Sequence, residues 1–189
     1  MTLMHPSRIC AYATMVAALF AASLAMAEDP LTTQATLLDR IQIEDIVTKY
    51  YWDITSGGRK DISLHYAKDA TFDVNGVVFK GHDEIQLMYG TDDNMGAPPG
   101  GHFNMLMNNP LIRVNGNTAT ADAIFTGIIS DSVTATPRLY EQGLDHMEFA
   151  KREGRWLITR RVITSHGGMP MDITERLQKL LKQKQKRAQ

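Results

Sequence analysis

Between positions 33 and 54 the apolar residues recur at helical spacing: Leu37, Leu38 and Ile41, then Ile43, Ile46, Val47, Tyr50, Tyr51 and Ile54. That period predicts one long amphipathic helix from Thr33 to Ile54. Gly57-Gly58 ends it, because glycine takes the left-handed cap conformation without a Cβ clash. A second short helix is expected over Arg59 to Lys68, with Ile62, Leu64, His65 and Tyr66 on its apolar side and Asp69 as its breaker. The period then drops to two. Thr71 to Val74 and Val77 to Lys80 flank Asn75-Gly76, a strong hairpin signal. Gly81 to Tyr89 predicts a third helix with Ile85 and Met88 inward, and the Gly/Pro-rich stretch Gly90 to Gly101 predicts a loop. Four strands are expected after it: Phe103 to Val114, Thr118 to Ser130, Leu139 to Lys151 and Arg155 to Ser165. Helices first and antiparallel strands last is the order of an α+β domain, with three helices packed on one face of a curved sheet.

The first residues carry a different pattern. Arg8 precedes an apolar run from Ile9 to Leu24, which ends in Ala25-Met26-Ala27 and turns polar at Glu28-Asp29-Pro30. This is the form of a secretory signal peptide, residues 1–27, cleaved after Ala27. The run falls short of the roughly 20 residues a spanning helix needs, so no transmembrane segment is expected after cleavage. The expected domain is 28–170, and 171–189 reads as a basic amphipathic helix and tail, with Leu177, Leu180 and Leu181 beside Lys179, Lys182, Lys184, Lys186 and Arg187.

Charge and cysteine content narrow the function classes. The formal net charge is −1, and loss of Arg8 makes it −2, which gives no reason to expect nucleic acid. The one cysteine, Cys10, lies in the signal segment. The mature chain therefore has no disulfide, no thiol nucleophile and no thiolate metal site, which is compatible with export to a bacterial periplasm. The histidines lack close metal-ligand spacing, and there is no Gly-x-Gly-x-x-Gly loop or Gly-x-Ser-x-Gly elbow. No cofactor and no metal are expected.

The strings Asp69-Ala70-Thr71-Phe72-Asp73 and Gly81-His82-Asp83-Glu84-Ile85 follow Tyr50 at a set distance. Asn109-Pro110-Leu111-Ile112-Arg113-Val114-Asn115-Gly116-Asn117-Thr118-Ala119 comes next, and Gly154-Arg155-Trp156-Leu157-Ile158-Thr159-Arg160-Arg161-Val162 comes last. Taken in order, from about Leu37 to Gly168, they resemble the NTF2-like superfamily, in its SnoaL-like group of ketosteroid isomerases and scytalone dehydratases. The resemblance implies a cone-shaped, mostly antiparallel sheet enclosing one pocket, and a homodimer or higher homo-oligomer. By this resemblance Tyr50 matches the tyrosine that donates to a developing oxyanion. Asp145 matches a protonated aspartic acid with the same task. His102, in His102-Phe103, resembles a dehydratase acid/base histidine. The pattern also departs from the group: the isomerase base would fall near Val74, where only the neighbouring Asp73 is available. The dehydratase tyrosine-aspartate pair falls at Ile54-Thr55, and its second histidine has no counterpart between Ala119 and Ile129.

Alternation supports part of this independently. Asp145, Met147 and Phe149 share one strand face, so a carboxylate points at an apolar interior. Either burial raises its pKa and makes it a neutral hydrogen-bond donor, or it pairs with Arg113, Arg160 or Arg161. His102 starts a strand after the Gly/Pro loop and suits proton transfer near neutral pH. Asp53, one turn after Tyr50, can orient a phenol or a substrate hydroxyl. Met88, Met105, Met107 and Met147 read as adaptable filler, some of it around a flat apolar ligand. The expected function is a cofactor-independent lyase, dehydratase or isomerase acting by general acid-base chemistry on a small aromatic or polycyclic molecule, with His102, Asp145, Tyr50 and Asp53 as its catalytic residues. The alternative is a periplasmic protein that binds a small hydrophobic ligand without chemistry.

Overall fold

In the computed structural model, which describes residues 31–56, 58–89, 100–168 and scattered positions between 175 and 186, the long helix α1 spans Leu37–Ser56. Thr36 sets its start: its backbone N–H donates to the Thr33 hydroxyl, and its carbonyl accepts from Arg40 N–H at 2.9 Å. Ile43, Val47, Tyr50, Tyr51 and Ile54 form the buried stripe. Carried backward at 3.6 residues per turn, this stripe reaches Asp39 and bypasses Leu37, Leu38 and Ile41. Those three are exposed, contrary to the expected inward face, and Asp39 packs inward against Lys151 and Trp156.

The second helix is shorter than its pattern suggests. A 3-10 helix runs only over Gly58–His65, and the chain then enters β1, Tyr66–Val74, five residues before the strand was expected. Tertiary pairing overrides the local pattern here, since Tyr66 lies opposite Ile158 of the last strand. Two α-helices and one 3-10 helix thus precede β3 among the described residues. The Asn75-Gly76 turn takes positive φ at both positions and leads to β2, Val77–Lys80. Helix α2 is Gly81–Tyr89. The strands β3 (His102–Asn115), β4 (Thr118–Ser130), β5 (Arg138–Arg152) and β6 (Arg155–Gly167) then follow nearly as expected.

The sheet order is β2-β1-β6-β5-β4-β3, and every pairing is antiparallel except β1 with β6. The long strands carry β-bulges, each an extra residue that changes which side chains face inward. In β3 the bulge is at Asn109-Pro110, where Asn109 has positive φ, and the inward set passes from Phe103, Met105 and Met107 to Ile112 and Val114. In β5 the register shifts at Tyr140, and in β6 at Thr159. The core lies between the inner sheet face and the helices, around Phe72, Phe79, Ile85, Met147, Phe149 and Ile158.

The expected signal peptide, residues 90–99 of the expected loop and most of the C-terminal segment lie outside the described residues. Within that last segment, Leu181 is helical and packs against the core. No described helix is long and apolar enough to cross a membrane.

Candidate active site

The bulge at Thr159 decides which arginine enters the core. Trp156 and Ile158 face inward, and strict alternation would next place Arg160 inside. The extra residue resets the phase, so Arg160 is exposed and Arg161 is 3 % exposed. The Thr159 hydroxyl donates to the Glu148 carbonyl at 3.2 Å and helps to hold the bulge.

Arg161 is surrounded by groups that use its whole guanidinium. Its Nε donates to Asp145 Oδ1 at 2.9 Å, and its Nη2 donates to Asp145 Oδ2 at 2.7 Å and toward the Tyr51 hydroxyl at 3.5 Å. Its Nη1 donates to the Tyr89 hydroxyl at 2.8 Å and to the Tyr50 hydroxyl, with Tyr66 at 3.4 Å. The guanidinium also lies over the Tyr50 ring at 4.3 Å and the Phe72 ring at 4.9 Å. Burial alone would lower the pKa of Arg161, but Asp145 together with Tyr89, Tyr66 and Tyr51 more than offsets it and keeps the cation charged. Tyr51 completes the group by donating to Asp145 Oδ2 at 2.6 Å.

Burial keeps the surrounding phenols neutral. It is the largest effect on each of them, raising Tyr66 to about 12 and Tyr51 and Tyr89 well above the ordinary tyrosine range. The hydroxyls form a directed chain. Tyr66 donates to Tyr50 at 3.3 Å, and Tyr50 also accepts from Arg161, so its own hydrogen goes to Tyr89.

A cavity of about 80 Å³ opens beside this cluster, lined mainly by Ile54, Phe72, Met88, Met105, Phe125 and Ile163, with Tyr51, Tyr89, Tyr140, Glu141 and Arg161 as its polar-bearing members. Glu141 is 6 % exposed and has no hydrogen bond or ion pair among the described residues. Burial raises its pKa, and no opposing charge lowers it again. Gly127 leaves room for its side chain, and Gly143 lets the strand approach β6 and Phe125. A Cβ on Gly127 would lie 2.8 Å from Glu141 Cγ, and one on Gly143 would lie 2.3 Å from the Thr164 carbonyl oxygen and 2.7 Å from the Phe125 ring. Glu141 and Asp145 share one face of β5, four residues or about 13 Å apart along the strand. The cavity therefore has an unpaired carboxyl toward one end and a neutralised ion pair ringed by phenols at the other.

The SnoaL-like domain profile matches residues 35–162. The chain belongs to the SnoaL-like domain family. Solved structures agree on the fold. An NTF2-like protein with a cystatin-like fold from Novosphingobium aromaticivorans is 22% identical, with a TM-score of 0.60, covering 79% of this chain and 97% of its own. A protein from the same organism provisionally described as a scytalone dehydratase is 14% identical, with a TM-score of 0.60 and coverage of 72% and 89%. The beta subunit of a provisionally assigned aromatic-ring-hydroxylating dioxygenase, also from that organism, is 13% identical, with a TM-score of 0.57 and coverage of 71% and 93%. No curated protein matches the sequence.

Within this SnoaL-like domain the structure brings two of the expected site residues together and separates the other two from them. Asp145 and Tyr50 meet at Arg161. Of the two readings of Asp145, the geometry shows the ion pair, and Arg161 is the partner. Tyr50 sits behind Tyr89 and does not line the cavity. Asp53 lies outside the cavity, 2.6 Å from Lys49 Nζ and 3.0 Å from His65 Nε2. Partial burial raises its pKa, but these two partners outweigh that and hold it below the usual range. His102 is exposed, on the face of β3 opposite buried Phe103, and does not line the cavity. Asp73 accepts from Gly76 N–H at 2.7 Å within the hairpin turn. Sequence reasoning missed Glu141, Arg161 as the specific partner, and Tyr89. The period of two that picked Asp145, Met147 and Phe149 extends back through Gly143 to Glu141 and was a sufficient signal for that residue.

Removing one member of a buried ion pair leaves the other charge uncompensated. Asp145→Leu or Arg161→Met alone is expected to cost roughly 3–5 kcal/mol in urea unfolding, and the double variant to recover most of it. Strictly additive losses would show that the two residues do not act as a pair. Glu141 gives a separate pH signature. An unfolded glutamate titrates near 4.5, and the folded value lies above it. The folded state then holds the extra proton between the two values, so wild-type stability falls as pH rises from about 4.5 through the folded pKa and levels off above it. The stability advantage of Glu141→Gln over wild type should grow across that window in denaturation midpoints taken from pH 4 to 8; a difference independent of pH would contradict the burial of an ionising Glu141.

Proposed function

We propose that this SnoaL-like domain is a cofactor-independent enzyme that moves a proton beside a carbonyl group of a small apolar molecule. The observation that carries this reading is Glu141, a glutamate only 6 % exposed, with no hydrogen bond or ion pair among the described residues, facing the same apolar cavity as Tyr89. A carboxyl raised toward neutral pH serves as both base and acid. Glu141 and Tyr89 are also near enough that the Glu141 charge raises the Tyr89 pKa.

The step balances without an oxidant or a metal. The Glu141 carboxylate takes the proton from the carbon next to the carbonyl, and the electron pair moves onto the carbonyl oxygen. Tyr89 donates a hydrogen bond to that oxygen as charge develops. Returning the proton at a different carbon completes an isomerisation; delivering it to a departing hydroxyl completes a dehydration. A donor of this kind is worth about 3 kcal/mol of barrier. Asp145, Arg161 and Tyr50 are positioning residues in this scheme. The cavity favours a single-ring substrate over a polycyclic one. An apolar cavity of about 150 Å³ accepts benzene, and this one, at about 80 Å³, needs Met88 and Met105 to repack even for one ring.

The test is deuterium exchange at the carbon beside the carbonyl of single-ring cyclic ketones in D2O, followed by NMR. Wild type should accelerate exchange, Glu141→Gln should lose about 100-fold or more of the rate, and His102→Ala should leave it nearly unchanged. Loss in His102→Ala with Glu141→Gln intact would move the proton-carrying role to His102. Binding of the ketone without exchange would support the ligand-binding alternative. Export belongs to the same proposal: the apolar run ending at Ala25-Met26-Ala27 motivates it. Protein purified from the periplasm should begin at Glu28 on N-terminal sequencing, and an intact Met1 start there would reject cleavage.

A further inference from the structure

We propose that the cavity selects uncharged ligands carrying a hydrogen-bond acceptor and rejects carboxylates, although an arginine lines it. This inference rests on the proposed reading for the location of the site, and it concerns what binds rather than what reacts. The cation itself is spent. Every N–H direction of Arg161 ends on Asp145, Tyr51, Tyr50 or Tyr89, with Tyr66 as a longer partner. Its charge is matched by Asp145, whose two oxygens accept from Arg161, with Tyr51 also donating to Oδ2.

Within the cluster of Arg161 and the four phenols bonded to it, hydrogen accounting leaves one donor for a ligand. The Tyr51 hydrogen is committed to Asp145. The Tyr66 hydrogen goes to Tyr50, and because Tyr50 also accepts from Arg161, its own hydrogen is left for Tyr89. Tyr89 therefore accepts from both Tyr50 and Arg161, which fills the two lone pairs of its oxygen. Its own hydrogen has no protein acceptor left among the described residues and points to the cavity that Tyr89 lines. A ketone, aldehyde or enone oxygen satisfies one donor. A carboxylate needs several donors or a free cation to offset its desolvation, and finds neither. Glu141 adds further negative charge when it is ionised.

The matched pair benzaldehyde and benzoate tests this on the full mature protein by titration calorimetry at pH 7.5. Benzaldehyde should bind more tightly by roughly tenfold or more, reflecting the uncompensated carboxylate. The infrared carbonyl stretch of bound 13C-labelled benzaldehyde should move to lower frequency, and Tyr89→Phe should remove that displacement. The ratio in wild type stands even if Tyr89→Phe fails to fold. The aldehyde preference should persist in Glu141→Leu, which removes the charge without adding a donor; if benzoate then binds as well as benzaldehyde, the selectivity came from Glu141 and the proposal fails. Benzoate binding as tightly as benzaldehyde in wild type, or no benzaldehyde binding at millimolar concentration, also overturns it. Exchange activity does not enter these readouts, so loss of the proton-transfer reading would leave the binding result intact.

Discussion

A guanidinium with no water around it must have every N–H satisfied and its charge cancelled nearby, and the interior of this domain is arranged to meet that demand. Arg161 draws in Asp145 from β5, Tyr50 and Tyr51 from α1, Tyr66 from β1 and Tyr89 from α2. Four elements, three of them distant in sequence, are thereby tied to one side chain of β6. Apolar packing would hold these elements together loosely. The directed bonds fix how the helices sit on the sheet, and so which side chains border the cavity. Such a pair adds less to net stability than its Coulomb attraction suggests, because both ions lose their hydration. Its contribution here is to specify one arrangement.

The same strand carries two carboxyls in opposite conditions. Asp145 is saturated by donors, whereas Glu141 faces apolar walls with burial as the cause of its raised pKa. Environment divides the roles: one carboxylate fixes geometry and the other remains free to exchange a proton. The phenols extend the fixed end. Burial raises the pKa values of Tyr51, Tyr66 and Tyr89 and keeps them as donors, and the order Tyr66 to Tyr50 to Tyr89 directs one hydrogen outward. The cavity thus gains polarity at defined points among its apolar walls.

Much of the fold was legible because its signals are local. The Asn75-Gly76 turn, the Asn115-Gly116-Asn117 turn and the alternation in β4 and β5 each require only a few adjacent residues to read. The start of β1 was not legible, since Tyr66 joins the sheet through Ile158, some ninety residues later in the chain. The phase of α1 was misread at Leu37, Leu38 and Ile41 because apolar identity was taken for burial, while the period itself pointed to Asp39. In the site, alternation correctly placed Asp145 inward. It could not choose between Arg160 and Arg161, because the bulge at Thr159 is a property of strand pairing. His102 suggested a role by its residue type at a strand start, yet its neighbour Phe103 takes the inner face.

That bulge also has a consequence for how the gene can change length. A deletion of one codon inside a regular strand inverts every following side chain, exchanging core for surface. Loss of Thr159 would instead leave Ile158 inward, Arg160 outward and Arg161 inward, an ordinary alternation. The segment between Ile158 and Arg161 is therefore a place where β6 can shorten by one residue and keep both halves in phase, giving up only the local twist.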